Sequence, residues 1–330
     1  MVTVLVVGAG SMGRNHCRAY AHDRRVSRIL VHEPFAESRK ALEALGMEKI
    51  EFVDTLKKAA QMGAVAASIV TPTEHHFDVA QTLIESNLHI LVEKPLTETV
   101  DQGKKLARLA SAKKRCLLVG HIERFNPAVR TLKKHMALLG TPVYASAHRF
   151  GIPTPRKLSD TFLDQAVHDM DVIAYLSGKR PQAITAVEMK IVDKHSNDLC
   201  SAIVQYDGFY ATVEANRVTP IKTRELVFLG TKGSAKLDYI SQDLVITQAE
   251  SVQNKFSTFD EILLRVGRGT EVKPYFQKDE PLRLELEHFI SCVEGKETPL
   301  VTAEDGIVAV AAAAAGMKSA ETGKTERIEL

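Results

Sequence analysis

Val4-Leu5-Val6-Val7-Gly8-Ala9-Gly10-Ser11-Met12-Gly13 begins as a short apolar run and passes straight into a G-x-G-x-x-G pattern, with a helical stretch at residues 14–22 behind it. A strand, a glycine turn and a helix in immediate succession form a dinucleotide cradle. Gly8 permits the tight turn, Gly10 lets a pyrophosphate approach the backbone, and Gly13 lets the helix pack against the strand. The helix N-terminus behind Ser11, Met12 and Gly13 offers free N–H groups and a positive dipole end to the phosphates. A second strand, 28–32, ends at Glu33, about 20 residues beyond the glycine turn, where an acidic side chain meets the adenosine ribose hydroxyls. A carboxylate there accepts two hydroxyl hydrogen bonds and repels a 2′-phosphate, so the expected cofactor is NAD rather than NADP.

Outward from this turn, the sequence alternates strands and helices as far as Gly120. Strands are expected at 52–53, 64–70, 89–92 and 116–119, and helices at 36–46, 55–62, 76–86 and 98–112. Alternation of this kind implies a parallel, doubly wound sheet with its ligands at the strand C-termini. Thr71-Pro72-Thr73, Glu93-Lys94-Pro95 and Gly120 all lie at such ends. After Phe125 the pattern changes. A helix at 127–139, a strand at 143–150 and a helix at 161–177 precede strands at 183–192, 199–206, 209–218, 225–229, 235–239 and 244–247. Asp207-Gly208 and Lys232-Gly233 supply hairpin turns, and helices at 281–294 and 303–322 close the chain. The expected architecture is α/β: a Rossmann domain over 1–122, then an α+β domain over 123–330 built on a mainly antiparallel open sheet. Its uncovered sheet face is expected to be closed by subunit association.

The bulk properties exclude several classes. The 330 residues are 45% hydrophobic and 25% charged, with a formal net charge of +2, an ordinary globular composition with no case for nucleic acid. The four cysteines (Cys17, Cys116, Cys200 and Cys292) form no C-x-x-C and read as small buried residues of a reducing compartment, with no metal site. No apolar run of about 20 residues exists and no signal peptide is visible, so a cytoplasmic protein without a membrane span is expected.

Taken together, the glycine turn, Thr71-Pro72 with His76, Glu93-Lys94-Pro95, Arg124-Phe125-Asn126-Pro127, and Asp164 with His168 resemble the glucose-fructose oxidoreductase / inositol dehydrogenase (Gfo/Idh/MocA) family over both domains. The resemblance implies a nicotinamide-dependent dehydrogenase acting on a secondary alcohol of a sugar or cyclitol, assembled as a homodimer or homotetramer through the open sheet. The stretch from Arg149-Phe150-Gly151-Ile152-Pro153 to Asp164-Gln165-Ala166-Val167-His168-Asp169-Met170-Asp171 is most similar to the branch of UDP-N-acetylglucosamine 3-dehydrogenases. Ile152 before the proline and Gln165 in place of an apolar residue depart from that branch. The likeness implies oxidation of the sugar 3-hydroxyl and an aminotransferase as pathway partner. An inositol or free-sugar dehydrogenase is the alternative, and a non-catalytic NAD-binding regulatory protein the second.

Oxidising a secondary alcohol needs a base for the hydroxyl proton, a donor for the forming carbonyl oxygen, and a nicotinamide beside the carbinol carbon. Asp164 and His168 are four apart on a helix and share a face. His168 titrates near working pH, Asp164 can raise its basicity, and Asp169 and Asp171 add negative charge. Lys94 is stiffened by Pro95 and can donate to the substrate oxygen. Beside a positive nicotinamide its own pKa falls, and the sequence does not separate Lys94 from His168 as the base. Glu93, Thr71, Pro72 and His76 are expected to line the cofactor cleft. Arg124 is read as a substrate contact or a Glu93 partner, with an interdomain salt bridge as the alternative. Arg149 and Arg156 are the expected clamp for a substrate diphosphate, which arginine binds in bidentate fashion.

Overall fold

Every residue of Val2–Val7 except Thr3 is buried, because a strand flanked on both sides by parallel neighbours presents neither face to water. In the computed structural model, which describes residues 1–152, 160–192, 197–249 and 269–330, this strand, β1, lies in a six-stranded parallel sheet. Its companions are β2 (Val26–His32), β3 (Ile50–Phe52), β4 (Ala66–Ile69), β5 (His89–Glu93) and β6 (Leu117–Gly120), in the order β3-β2-β1-β4-β5-β6. The strand order reverses between β1 and β4, which opens a ligand crevice at the C-terminal ends of both. The connecting helices are α1 (Ser11–His22), α2 (Ala36–Glu43), α3 (Leu56–Gln61), α4 (His76–Glu85) and α5 (Val100–Ala112). Thr99 and Gln102 cap α5 reciprocally, satisfying two amides that the helix leaves open.

The chain divides into two compact units, one formed by Met1–Phe125, Asp279–Ala311 and Leu330, the other by Asn126–Lys278 and Ala312–Glu329. Sequence order placed all of 123–330 in the second domain. Instead α8 (Pro281–Val293) returns to the first unit, where Leu282, Leu286, Phe289 and Ile290 are buried in its core. The last helix, α9 (Ala303–Thr322), begins in the first unit and ends in the second.

The second unit holds α6 (Pro127–Leu139) and α7 (Val167–Ser177) against a nine-stranded mixed sheet. Its strands are β7 (Pro142–Phe150), β8 (Pro181–Met189), β9 (Leu199–Tyr206), β10 (Phe209–Asn216), β11 (Thr223–Gly230), β12 (Gly233–Asp238), β13 (Asp243–Ala249), β14 (Gly269–Val272) and β15 (Glu326–Arg327). The order is β14-β13-β12-β11-β7-β10-β9-β8-β15, antiparallel throughout except where β10 runs parallel to β7. Both expected hairpins form; β14 and β15 were not anticipated. Alternation assigns the two faces. Ala145, Ala147, Val204, Val213, Leu226 and Phe228 are in the core, whereas Val187, Met189, Ile203 and Tyr210 on the other face are each more than half exposed. No described helix is long and apolar enough to cross a membrane.

Candidate active site

The glycine turn has the geometry its sequence requires. Gly8 has φ +100°, and a Cβ there would stand 2.8 Å from the Val70 carbonyl oxygen. A Cβ on Gly13 would stand 2.0 Å from the Gly8 oxygen, so only glycine closes this turn. Gly10 is different: a Cβ there would meet nothing within 4 Å, so the space above it is open. Gly10 is also the N-cap of α1, and no side chain caps the helix. The Thr71 hydroxyl, at the end of β4, is buried without a hydrogen-bond partner among the described residues. Glu33 is 4% exposed and fastened to the turn: Oε2 accepts from the Ala9 N–H at 2.7 Å and Oε1 from the Phe35 N–H at 2.9 Å. Each carboxylate oxygen retains a second lone pair for a ribose hydroxyl.

Lys94 follows β5 in a cis Lys94–Pro95 peptide. The turn is held from both sides. Behind it, Glu93 accepts from its neighbour's N–H through Oε2 at 3.2 Å, and its Oε1 pairs with His16 Nε2 of α1 at 3.1 Å. Burial works to raise the Glu93 pKa, but the His16 hydrogen bond and the Lys94 ammonium overcome it, and the carboxyl sits below its ordinary range. On the other side the buried His76 ring spans two carbonyls, Pro95 O at 2.8 Å and Thr71 O at 2.9 Å. A neutral imidazole has one N–H for these two acceptors and a protonated one has two. His76 braces the Thr71-Pro72 turn against the Lys94 turn. The His16–Glu93 pair had no sequence reading, because its members lie 77 positions apart.

Beneath this pair lies Glu285 of α8, fully buried, with neither carboxylate oxygen hydrogen-bonded among the described residues. Burial first, and the Glu93 charge second, push its pKa well above the ordinary range. Between the unfolded and the folded pKa the native chain holds a proton that the unfolded chain has released, so stability falls as pH rises through that window. Glu285→Gln keeps the shape and removes this titration. The variant is expected to gain unfolding free energy over wild type between pH 5 and pH 8, increasingly with pH, in urea denaturation. A pH-independent difference would show that Glu285 is ionised in the fold.

In the second unit, β7 carries Arg149 and the segment after the 151–160 connection carries Asp164 and His168. Residues 162–166 form a π-helical turn closed by Val167 N–H to Phe162 O, and α7 starts at Val167. The continuous helix expected at 161–177 is thus widened at Asp164, a feature common at functional sites. Gln165 explains its own departure from the apolar norm. With its amide nitrogen turned inward it donates to the carbonyls of Asn216 at 3.1 Å and Arg149 at 3.0 Å, tying the π turn to β10 and β7. Arg217 donates to Asp164 Oδ2 at 3.1 Å from the end of β10. It was missed in the sequence. His168 is buried at the start of α7, with 9% exposure.

Two arginines need correction. Arg149 is 2% exposed, and its Nε and Nη2 donate to Asp169 at 2.7 and 3.1 Å, with the guanidinium 5.1 Å from the Tyr239 ring. Its bidentate capacity is directed at a buried aspartate rather than a diphosphate, and Asp169 contributes no free negative charge. Arg124 donates to Asp305 at 3.0 Å and to Leu300 O at 3.3 Å, all within the first unit, so this ion pair does not join the two units. Arg156 lies outside the described residues. No group of three or more His, Cys, Asp or Glu suited to a metal ion occurs among those that are described.

Comparison with known proteins decides the family. The family described as "Oxidoreductase family, NAD-binding Rossmann fold" matches residues 2–121, and its "C-terminal alpha/beta domain" matches residues 139–330. The chain belongs to the Gfo/Idh/MocA oxidoreductase family. It is 30% identical over 242 residues to the UDP-N-acetylglucosamine 3-dehydrogenase of Acidithiobacillus ferrooxidans, covering 73% of this chain and 75% of that one. A solved structure of that protein superposes with a TM-score of 0.85 at 25% identity over 97% of each chain. The NAD-dependent scyllo-inositol 2-dehydrogenase of Bacillus subtilis is 26% identical over 100% of this chain and 97% of that one. A levoglucosan dehydrogenase in complex with NADH and levoglucosan shares the fold, with a TM-score of 0.85 at 19% identity over 100% of both chains.

As a Gfo/Idh/MocA member the chain is an NAD-binding dehydrogenase, and its turn fits that cofactor. The open space at Gly10 and the uncapped start of α1 suit a pyrophosphate, and the acceptor capacity left on Glu33 suits ribose hydroxyls. Glu33→Ala is expected to weaken NAD binding about 10- to 100-fold, the loss of charge-assisted hydrogen bonds of roughly 1.5–3 kcal/mol. Calorimetric titration with NAD and NADP checks this. Unchanged affinity for both would refute the ribose contact.

Proposed function

We propose that this dehydrogenase oxidises the 3-hydroxyl of UDP-N-acetylglucosamine to the 3-keto sugar. The observation that carries the proposal is the Arg149-to-Asp171 stretch, whose Asp164, His168 and Asp169 follow the pattern of that branch, together with the Acidithiobacillus relative at 30% identity. NAD, when bound, accepts the hydrogen and electron pair from the carbinol carbon. Lys94 donates from its ammonium to the substrate oxygen as charge develops there. His168, on a helix start stiffened by Gln165, and Lys94 are the two groups able to carry the hydroxyl proton. Asp164, oriented by Arg217, holds His168 or the sugar. Glu93, held by His16, fixes the backbone from which Lys94 projects. The reading includes a homodimer or homotetramer closed over the exposed face carrying Val187, Met189, Ile203 and Tyr210, and an aminotransferase downstream.

A panel of UDP-sugars, free hexoses and inositols with NAD, followed by NADH absorbance in the presence of a carbonyl trap, tests the substrate. UDP-N-acetylglucosamine is expected to give the highest kcat/KM. Turnover of an inositol alone would favour the alternative reading, for which the full-length match to the Bacillus enzyme speaks.

A further inference from the structure

The segment that carries Asp164 and His168 is pinned at its entry. Asp160 anchors it twice: its backbone oxygen accepts from the Asp164 N–H at 2.9 Å, and its Oδ1 accepts from the Phe162 N–H at 2.8 Å. The other carboxyl oxygen of Asp160 is held by Asn197, which lies two residues before β9. The Asn197 Nδ2 group donates to Asp160 Oδ2 and to Glu188 Oε2 of β8, at 2.9 Å each. The Asn197 backbone carbonyl accepts from the Thr161 hydroxyl. An amide nitrogen carries two N–H groups, so both carboxyl bonds form at once, and Asn197 ties the start of the π turn to β8.

Two carboxyl groups thus share one donor group. Glu188 alternates with the exposed Val187 and Met189, so its side chain lies on the covered face of the sheet, in register with Cys200 of β9. Its second oxygen, Oε1, is buried without a hydrogen-bond partner among the described residues. An ionised Glu188 would strand charge on that oxygen beside a second carboxyl group, and the neutral acid avoids this. The titration follows the geometry: burial first and Asp160 second raise the Glu188 pKa to about 8, against the opposing pull of Lys190. The other charged groups around the cluster are engaged elsewhere. Arg217 donates to Asp164 Oδ2 at 3.1 Å, and Asp198 Oδ2 accepts from the N–H groups of Ile191 and Val192 at 2.9 and 2.6 Å. The Cys200 thiol is raised by burial, with Glu188 and Asp160 adding to the effect.

We propose that Glu188 and Asn197 are positioning residues for the substrate segment: a neutral Glu188 lets Asn197 pin Asp160, and ionisation of Glu188 loosens the π turn that carries Asp164 and His168. The proposal rests on the reading of Asp164 and His168 as substrate-site residues. On ionisation two negative groups compete for one amide and repel each other, and the bonds from Asp160 to the Phe162 and Asp164 N–H groups open with the pin. For an acid with a pKa of about 8, the neutral fraction falls about tenfold between pH 7 and pH 9. Substrate binding must then restore the ordered segment, so the cost falls on KM and a saturated enzyme turns over as before.

Amide hydrogen exchange on the full-length protein tests the hold, read by mass spectrometry on the peptide covering residues 161–168 and corrected for the intrinsic pH dependence of exchange. Wild type is expected to lose protection of this peptide about tenfold from pH 7 to pH 9. Glu188→Gln is expected to keep equal protection at both, and Asn197→Ala to lose it at both. The β11–β12 hairpin of the same unit is the control for an intact fold and stays protected in all three. Kinetics with the substrate that the panel identifies reads the consequence. The wild-type KM is expected to equal that of Glu188→Gln at pH 7 and to exceed it about tenfold at pH 9, with kcat of the two alike. The same pH dependence in wild type and Glu188→Gln would overturn the role of the Glu188 proton, and full protection in Asn197→Ala would overturn the pin. Loss of protection with no change in KM would instead overturn the reading of Asp164 and His168 as substrate residues.

Discussion

Lys94→Met lowers kcat/KM by roughly 10²–10⁴-fold, and His168→Asn does so by a similar factor, each corresponding to the loss of a positioned proton donor or acceptor. Lys94 is expected to show the purer kcat effect, because an ammonium aimed at developing charge on oxygen acts in the transition state more than in the ground state. The pH profile assigns the base. The group whose removal abolishes the acidic limb of kcat/KM is the one that must be deprotonated for turnover. NAD affinity should stay within about twofold in both variants, since the cradle at Gly8, Gly10, Gly13 and Glu33 is untouched. Full turnover in the Lys94→Met, His168→Asn double variant would remove both residues from the chemistry.

Arg149→Leu destabilises the second unit by about 3–5 kcal/mol, because it leaves the Asp169 carboxylate buried without its counter-charge. For a unit of this size the loss corresponds to a fall in Tm on the order of 10 °C in a thermal scan. Asp169→Leu behaves alike, stranding the guanidinium. The Arg149→Leu, Asp169→Leu double variant recovers most of the loss, since an apolar pair of similar volume avoids the desolvation of both ions. A diphosphate clamp would behave otherwise: Arg149→Leu would fold with wild-type stability and lose only substrate affinity. The same thermal scan separates the two, and additive effects in the double variant would disprove the ion pair.

The sites that were legible in the sequence and those that were not differ in how far apart their parts lie along the chain. The G-x-G-x-x-G turn is a matter of local backbone sterics, and Gly8 and Gly13 stand as their spacing implies. Lys94 between Glu93 and Pro95 is also local. That His76 is a strut between two turns was not legible, since the Pro95 carbonyl that engages one ring nitrogen lies 19 positions away. Arg149, Arg124 and Asp169 carried the right charges for ligand work, but partners 20 and 181 positions away claim them. A side chain's charge is written in the sequence, and the identity of its counter-ion is not.

The sequence by itself determined the alternation that builds a parallel sheet, the glycine turn at its switch point, the antiparallel grammar of the second half, and the family to which the motifs belong. Those features follow from backbone sterics, hydrophobic period and short-range spacing, which are properties of neighbouring residues. Only the tertiary structure decided that α8 returns to the first unit, that His16 holds Glu93, and that Arg149 is spent on Asp169. Each of these joins residues from separate elements in a low-dielectric interior. There a polar group must find a partner, and the folded packing determines which one is within reach.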